Sequence, residues 1–224
     1  MNFPTNEGKI IVTIHYEEKY DNRFWDGKQV VLGDGDGELF SKFSGLDTIA
    51  GALAYPIIQE RTKLPYLGQQ GALTVHLSDA FSAMVVQWHE KQPAASSMKA
   101  PGSAYDNPIL GKDPQPAHMK DYVKTSQDTG GVHINSGIPN HAFYLAAIEI
   151  GGFSWDKIGK IWIKSLERTA ANTNFEGFAV ITSTTAEDLY GNNSDEAKAV
   201  AKAWSEVGID VRGGPNRTYT RKQR

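Results

Sequence analysis

Gly130-Gly131-Val132-His133-Ile134-Asn135-Ser136-Gly137-Ile138-Pro139-Asn140 is a long and uncommon string, and chance is a poor explanation for it. The paired glycines interrupt regular structure. From Ile138 the apolar residues support a helix to Ile150, stopped by Gly151. Upstream, residues 92–125 hold Pro93, Pro101, Pro108, Pro114 and Pro116 with little periodicity, which predicts a long loop. Two helices are expected before it. In Leu46 to Arg61, Ile49, Ala50, Leu53, Ala54, Ile57 and Ile58 recur at helical spacing, and Pro56 predicts a kink or break near Leu53–Tyr55. Ala72 to His89 is apolar on most sides, as a buried central helix should be. At the front, Lys9–His15 and Gln29–Leu32 read as short strands flanking the turn formers of Tyr20–Gly27, so a β-hairpin is expected there. Gly33-Asp34-Gly35-Asp36-Gly37 then breaks regular structure. Downstream, helices are expected at Ser154–Thr169, Asn174–Leu189 and Ser194–Val207, with Ser154 and Ser194 as N-caps and Gly191 and Gly208 as stops. The fold class is mainly α (α+β): residues 1–45 form a hairpin and Gly-Asp-rich loop, 46–208 a helical body, and 209–224 a tail.

The composition, 40% hydrophobic and 22% charged, is that of an ordinary globular chain. A net charge of -3 gives no reason to expect nucleic acid or an anionic membrane as partner. Without cysteine there are no disulfides and no thiolate metal ligands. No apolar run is long enough to span a membrane, and Met1-Asn2-Phe3-Pro4-Thr5 does not start a signal peptide. The tail carries Arg212, Arg217, Arg221, Lys222 and Arg224 against Asp210. With no apolar pattern to dock it, a flexible end is expected in preference to an anion-binding arm.

The opening string resembles the Gly-Gly-Val-His-Ile-Asn-Ser-Gly signature of the thermolysin-like (M4) metallopeptidases. Other pieces follow in that family's order. Tyr20–Phe40, with Phe24-Trp25-Asp26-Gly27, is similar to the segment before the zinc helix. Gly71-Ala72-Leu73 with Ser78-Asp79 is similar to the next helix, and Asp188-Leu189-Tyr190-Gly191 and Ala203-Trp204-Ser205-Glu206-Val207-Gly208 to the C-terminal helices. Met98–Pro139 looks like the protealysin-type branch. The resemblance covers Val12 to Ile209 and implies the family's helical C-terminal domain, its large N-terminal β-domain being absent apart from a last hairpin. It also implies a secreted or cytoplasmic bacterial protein, and the location is left open.

The departures are as informative. The family holds zinc with His-Glu-x-x-His on one helix and a glutamate on the next, the intervening glutamate acting as general base. The matching positions here read Gly51-Ala52-Leu53-Ala54-Tyr55, so both histidine positions (Gly51 and Tyr55) and the base position (Ala52) are changed, and the third ligand falls at Val75. A calcium-binding glutamate of the family aligns with Val86, the acidic loop between Trp88 and Met98 is too short, and a substrate-binding arginine falls at Ser96. The set is what a protein adapted, by evolution or design, to stand without metals would carry. Zinc and calcium are both expected to be absent.

Other family positions persist. Asp128 and His133 match an oxyanion-stabilising pair and Tyr66 the tyrosine that assists it, while Asn22, Arg23, Phe24 and Trp25 match the edge of the peptide cleft. Either the groove still takes extended peptide, or Asp128 and His133 are kept as a structural hydrogen-bonded pair, which is the preferred reading. Asp34-x-Asp36-Gly37 is read as a tight turn in preference to a calcium loop. His76, beside the vacated site, is read as a hydrogen-bonded histidine in preference to a new ligand. The expected function is a catalytically silent, metal-free peptidase homologue; the alternative is a metalloendopeptidase-type hydrolase with an unconventional site, for which His76, Asp79, Asp128 and His133 are the nearby donors. Absence of the β-domain should expose apolar surface, so self-association is expected.

Overall fold

A computed structural model describes residues 10–38, 43–97, 106–107 and 111–211, with backbone alone for 96–97, 106–107 and 111–112. The first nine residues, the side chain of Ser96 and the basic tail from residue 212 onward lie outside the described residues.

The body is helical. α1 (Leu46–Thr62) and α2 (Gly68–Glu90) pack along each other, and a short α3 (Ala94–Ser97) follows. Then come α4 (Asp128–Asn135), α5 (Gly137–Ile150), α6 (Lys157–Ser165), α7 (Phe175–Tyr190) and α8 (Asp195–Glu206). Contrary to the expected kink, α1 runs unbroken through Pro56, which is itself buried. The ring removes one backbone donor, but α1 buries Gly51, Ala52, Ala54, Pro56 and Ile58 along its length, and that packing outweighs a single lost hydrogen bond.

Stops and caps follow local chemistry. Gly151 and Gly191 end α5 and α7 at positive φ (71° and 99°). Ser194 Oγ accepts from Ala197 N (3.1 Å) and Asn174 Oδ1 from Gly177 N (2.9 Å), satisfying first-turn donors. Ser154 is not the cap of α6, which begins at Lys157 after Asp156. Its hydroxyl is buried and donates to Gln87 Oε1 on α2, so it ties the segment leading into α6 to that helix instead.

The hairpin also sits elsewhere than the sequence suggests. β1 (Val12–Thr13) runs parallel to β3 (Val30–Leu32), and the antiparallel partner of β3 is β2 (Arg23–Trp25), giving the order β1-β3-β2. The turn formers therefore contain a strand. The reversal is confined to residues 26–29, where Asp26 Oδ1 accepts from both Lys28 N and Gln29 N at 2.8 Å. Val30 and Leu32 pack with Ala52 of α1, and Trp25, Ile49 and Leu53 flank them. This small cluster pins the strand carrying Arg23 against the helix carrying Gly51. In the long loop the structure places a two-residue ladder, β4 (Asp106–Asn107) with β5 (Gly111–Lys112), and a 3-10 turn at Met119–Asp121.

The main core lies between α2, α5, α6, α7 and α8. Trp162 and Trp204 stack (centroids 6.4 Å apart, planes within 3°), with Phe143 and Phe178 against them. Both indole N–H groups are satisfied: Trp204 donates to Thr182 Oγ1 and Trp162 to His76 Nε2, each at 2.8 Å. No helix among the described residues is long and apolar enough to cross a membrane.

Candidate functional site: a histidine–aspartate–tyrosine cluster facing an arginine

The opening string forms a short, irregular helix start. Asp128, Thr129, Gly130 and Gly131 all have positive φ (49°, 51°, 83° and 77°) before the chain turns into the last part of α4. Glycine accepts that conformation freely, whereas Asp128 and Thr129 are strained by about 1–2 kcal/mol each. The left-handed run folds Asp128 back over the turn it precedes. Asp128 Oδ2 accepts from His133 N (2.7 Å), and Oδ1 accepts from His133 Nδ1–H (2.6 Å). With its proton on Nδ1, the neutral imidazole offers Nε2 as acceptor, and the Tyr66 hydroxyl donates to it (3.1 Å). Around this pair the string is clamped: Asn135 exchanges hydrogen bonds with the backbone of Val123 (both 2.9 Å), and Gln115 Nε2 donates to His133 O (2.8 Å). His133 is exposed, so the pair faces solvent, while Asn135 behind it is buried.

Tyr66 is half-buried, and that burial raises its phenol to about 12, helped by Tyr55, Asp128 and Asp79 and opposed by the charge of Arg23. It stays protonated at any physiological pH and acts as a donor. Tyr55 packs edge-on against Tyr66 with centroids 6.1 Å apart, and burial raises its phenol as well.

Arg23 is where sequence reasoning gave least. A Cβ placed on Gly51 would lie 2.8 Å from a terminal guanidinium nitrogen of Arg23 and 3.8 Å from Ser78 O. The guanidinium thus lies over Gly51, in the space a side chain at that position would enter. Its charge also pulls against the burial that raises the carboxyl of Asp79, as do the hydrogen bond from Asn140 and the charge of His133. Among the described residues no carboxylate pairs with Arg23. Nothing local in Asn22-Arg23-Phe24-Trp25 foretells this; the approach exists only because β2 packs on α1.

The positions that the resemblance assigns to metal ligands offer little to a zinc ion. Gly51 and Val75 have no donor atoms and Tyr55 has a phenol, while zinc takes imidazole nitrogen, carboxylate or thiolate; Ala52, at the position of the general base, has no group that could take a proton. His76 points away, into the core. Its Nε2 accepts from Trp162, its Nδ1–H donates to Asn140 Oδ1 (2.7 Å), and burial lowers it to about 4. Both nitrogens are committed, so His76 leaves the set of nearby donors. Asn140 Nδ2 in turn donates to Asp79 Oδ2 (2.9 Å). Among the described residues, no three His, Cys, Asp or Glu side chains converge as metal ligands. Val86, at the family's calcium position, lies half-buried on α2. Asp36 Oδ1 accepts from Glu38 N (2.9 Å), the tight turn that the spacing of Asp34, Asp36 and Gly37 predicts.

Asn22 is exposed, while Phe24 and Trp25 are half-buried beside Arg23 on β2, the outer strand of the sheet. The same arrangement of helices and strands is found in known proteins. Residues 91–209 match the family described as "Thermolysin metallopeptidase, alpha-helical domain", and residues 2–57 match "Thermolysin metallopeptidase, catalytic domain". A solved precursor of protealysin, a metalloproteinase from Serratia proteamaculans, superposes with a TM-score of 0.86 at 43% identity, over 93% of this chain and 71% of that one. An extracellular metalloprotease of Pectobacterium carotovorum subsp. carotovorum is 44% identical over 89% of this chain and 64% of its own length. Protease PrtS of a Photorhabdus species is 42% identical over 91% of this chain and 61% of its own length. The chain thus spans less than two thirds of the length of these two curated relatives. Two family descriptions together matching much of the chain, and close agreement in both sequence and fold, place it in the thermolysin metallopeptidase family.

Proposed function

We propose that this chain is a metal-free, catalytically silent member of its family that keeps a groove for extended peptide. The observation that carries this reading is the Arg23 guanidinium over Gly51: a cation stands against the very position from which a zinc-binding imidazole would project. A divalent metal there would meet a positive charge and no donor at 51, 52 or 75. Loss of the calcium ligand position to Val86 fits the same adaptation, since apolar side chains leave no unpaired acidic group behind. The groove reading rests on β2. It pairs with β3 on one side and is the outer strand on the other, so its backbone can extend the sheet by one strand supplied by a peptide. Asn22, Arg23, Phe24 and Trp25 would line that edge, with His133, Asp128 and Tyr66 opposite.

The second reading, a metalloendopeptidase-type hydrolase with an unconventional site, draws its support from the relatives, which are named as proteases. Metal content by mass spectrometry, melting with and without EDTA, and hydrolysis of casein separate the two. We expect no stoichiometric zinc or calcium, an unchanged melting temperature and no cleavage. Stoichiometric zinc, or a large drop in melting temperature with chelator, would overturn the metal-free reading and point to His133 and Asp79 as donors.

A further inference from the structure

We infer that Arg23, with the Tyr66–His133 pair, forms a carboxylate-binding site where the family's metal would lie, and that its ligand is the C-terminal carboxylate of a peptide held in the groove. This deepens the peptide-groove reading and rests on it for the source of the carboxylate. Arg23 projects from an edge strand over α1, is half-buried, and has no carboxylate partner among the described residues. A guanidinium partly withdrawn from water favours an anion, and its planar fork matches a carboxylate with two parallel N–H···O bonds. Gly51 supplies the room: any side chain there would displace the guanidinium.

The surroundings select a carboxylate bound at one end of a chain. The Tyr66 hydroxyl lies 3.1 Å from His133 Nε2 and can turn its proton from that nitrogen toward a ligand oxygen, while the ring would donate there only when protonated on both nitrogens. Asp128 holds the imidazole in place from the other nitrogen. Asp79 does not fill the site: its Oδ2 is taken by Asn140, no ion pair with Arg23 forms, and burial favours its neutral acid. A peptide running along β2 would reach Arg23 from the strand that carries it, so its terminal carboxylate meets the guanidinium without a turn.

The test uses the whole chain and three probes: an N-acetylated alanine–leucine hexapeptide as the free acid, the same peptide as its C-terminal amide, and sodium acetate against sodium chloride at equal ionic strength. Affinity is read by calorimetry, and the Arg23 Nε–H and His133 ring resonances by NMR. The free acid should bind about tenfold tighter than the amide, as one charge-assisted pair implies. Arg23→Gln should make the two peptides equal, and Tyr66→Phe should reduce the preference. Acetate should shift both resonances saturably where chloride does not. Equal affinities in the unaltered chain, or a preference that survives Arg23→Gln, would overturn the carboxylate site while leaving the groove standing. Acetate binding with neither peptide bound would overturn the peptide C-terminus as the ligand, and the groove with it, leaving a site for small carboxylates alone. If acetate behaves as chloride does and neither peptide binds, both readings fall.

Discussion

At the scale of single residues, two positions show opposing effects whose magnitudes decide the sign. Gly51 lies inside α1, where glycine is about 1 kcal/mol less favourable than alanine. A methyl group there meets the Arg23 guanidinium at 2.8 Å, but that is the far end of a flexible side chain, which can swing aside cheaply. Gly51→Ala is therefore expected to stabilise the fold by up to about 1 kcal/mol in urea unfolding. It should abolish the preference for a free C-terminal carboxylate at the same time. A destabilised variant would mean that Arg23 is held rigidly rather than leaning into open space. Thr129 is the second case. Its φ of 51° is a poor conformation for a β-branched residue, and relief of roughly 1–2 kcal/mol competes with glycine's extra chain entropy of about 0.5–1 kcal/mol. Thr129→Gly should raise the urea midpoint modestly with an unchanged slope, while Thr129→Val should gain nothing.

Between elements, the buried chain Trp162–His76–Asn140–Asp79 links α2, α5 and α6. Burial holds His76 at about 4 in the folded protein, against about 6.5 when unfolded. The unfolded chain therefore binds a proton that the folded chain refuses. The contribution is complete above pH 6.5, falls as pH drops toward 4, and totals about 3 kcal/mol across that window. Asp79, raised by burial, works the other way and gains stability as it protonates. Urea unfolding at several pH values should show the slope between 6.5 and 4, and His76→Gln should flatten it. That variant should also lose about 2–4 kcal/mol at neutral pH by disturbing the partners of Trp162 and Asn140. A slope unchanged in the variant would move the acid sensitivity to other groups. This network was out of reach of the sequence, because its members lie on three separate helices and none has a distinctive neighbour. The helices themselves were legible, since their apolar spacing spans several turns and glycines mark their ends. The hairpin was misplaced because strands of two or three residues are too short to show an alternating pattern. His133 was legible through its place in the string and Asp128 through the family resemblance, whereas the reach of Arg23 over Gly51 depends on tertiary packing alone.

Over the whole molecule, polar and apolar surface are unevenly distributed. Ile10, Ile11, Val12 and Ile14 are all exposed at the front, on and beside β1, the strand at the other edge of the sheet from β2. An outer strand with no charge of its own and exposed apolar side chains on and beside it is a template for another strand. Two copies of this chain could pair there and cover the four side chains. The ladder would be short, and the patch is small beside the 1,200–2,000 Å², roughly, that stable partners bury, so association should be weak and concentration-dependent. Light scattering on the isolated chain should give a mass rising from monomer toward dimer as concentration increases. Val12→Lys should hold it monomeric, because a charge on the edge would be brought close to its symmetry mate, while leaving the melting temperature nearly unchanged for a side chain this exposed. A clean monomer at high concentration in the unaltered chain would remove β1 as a contact surface. Association unaffected by Val12→Lys would assign it to one of the other exposed apolar side chains, such as Trp88 or Phe153.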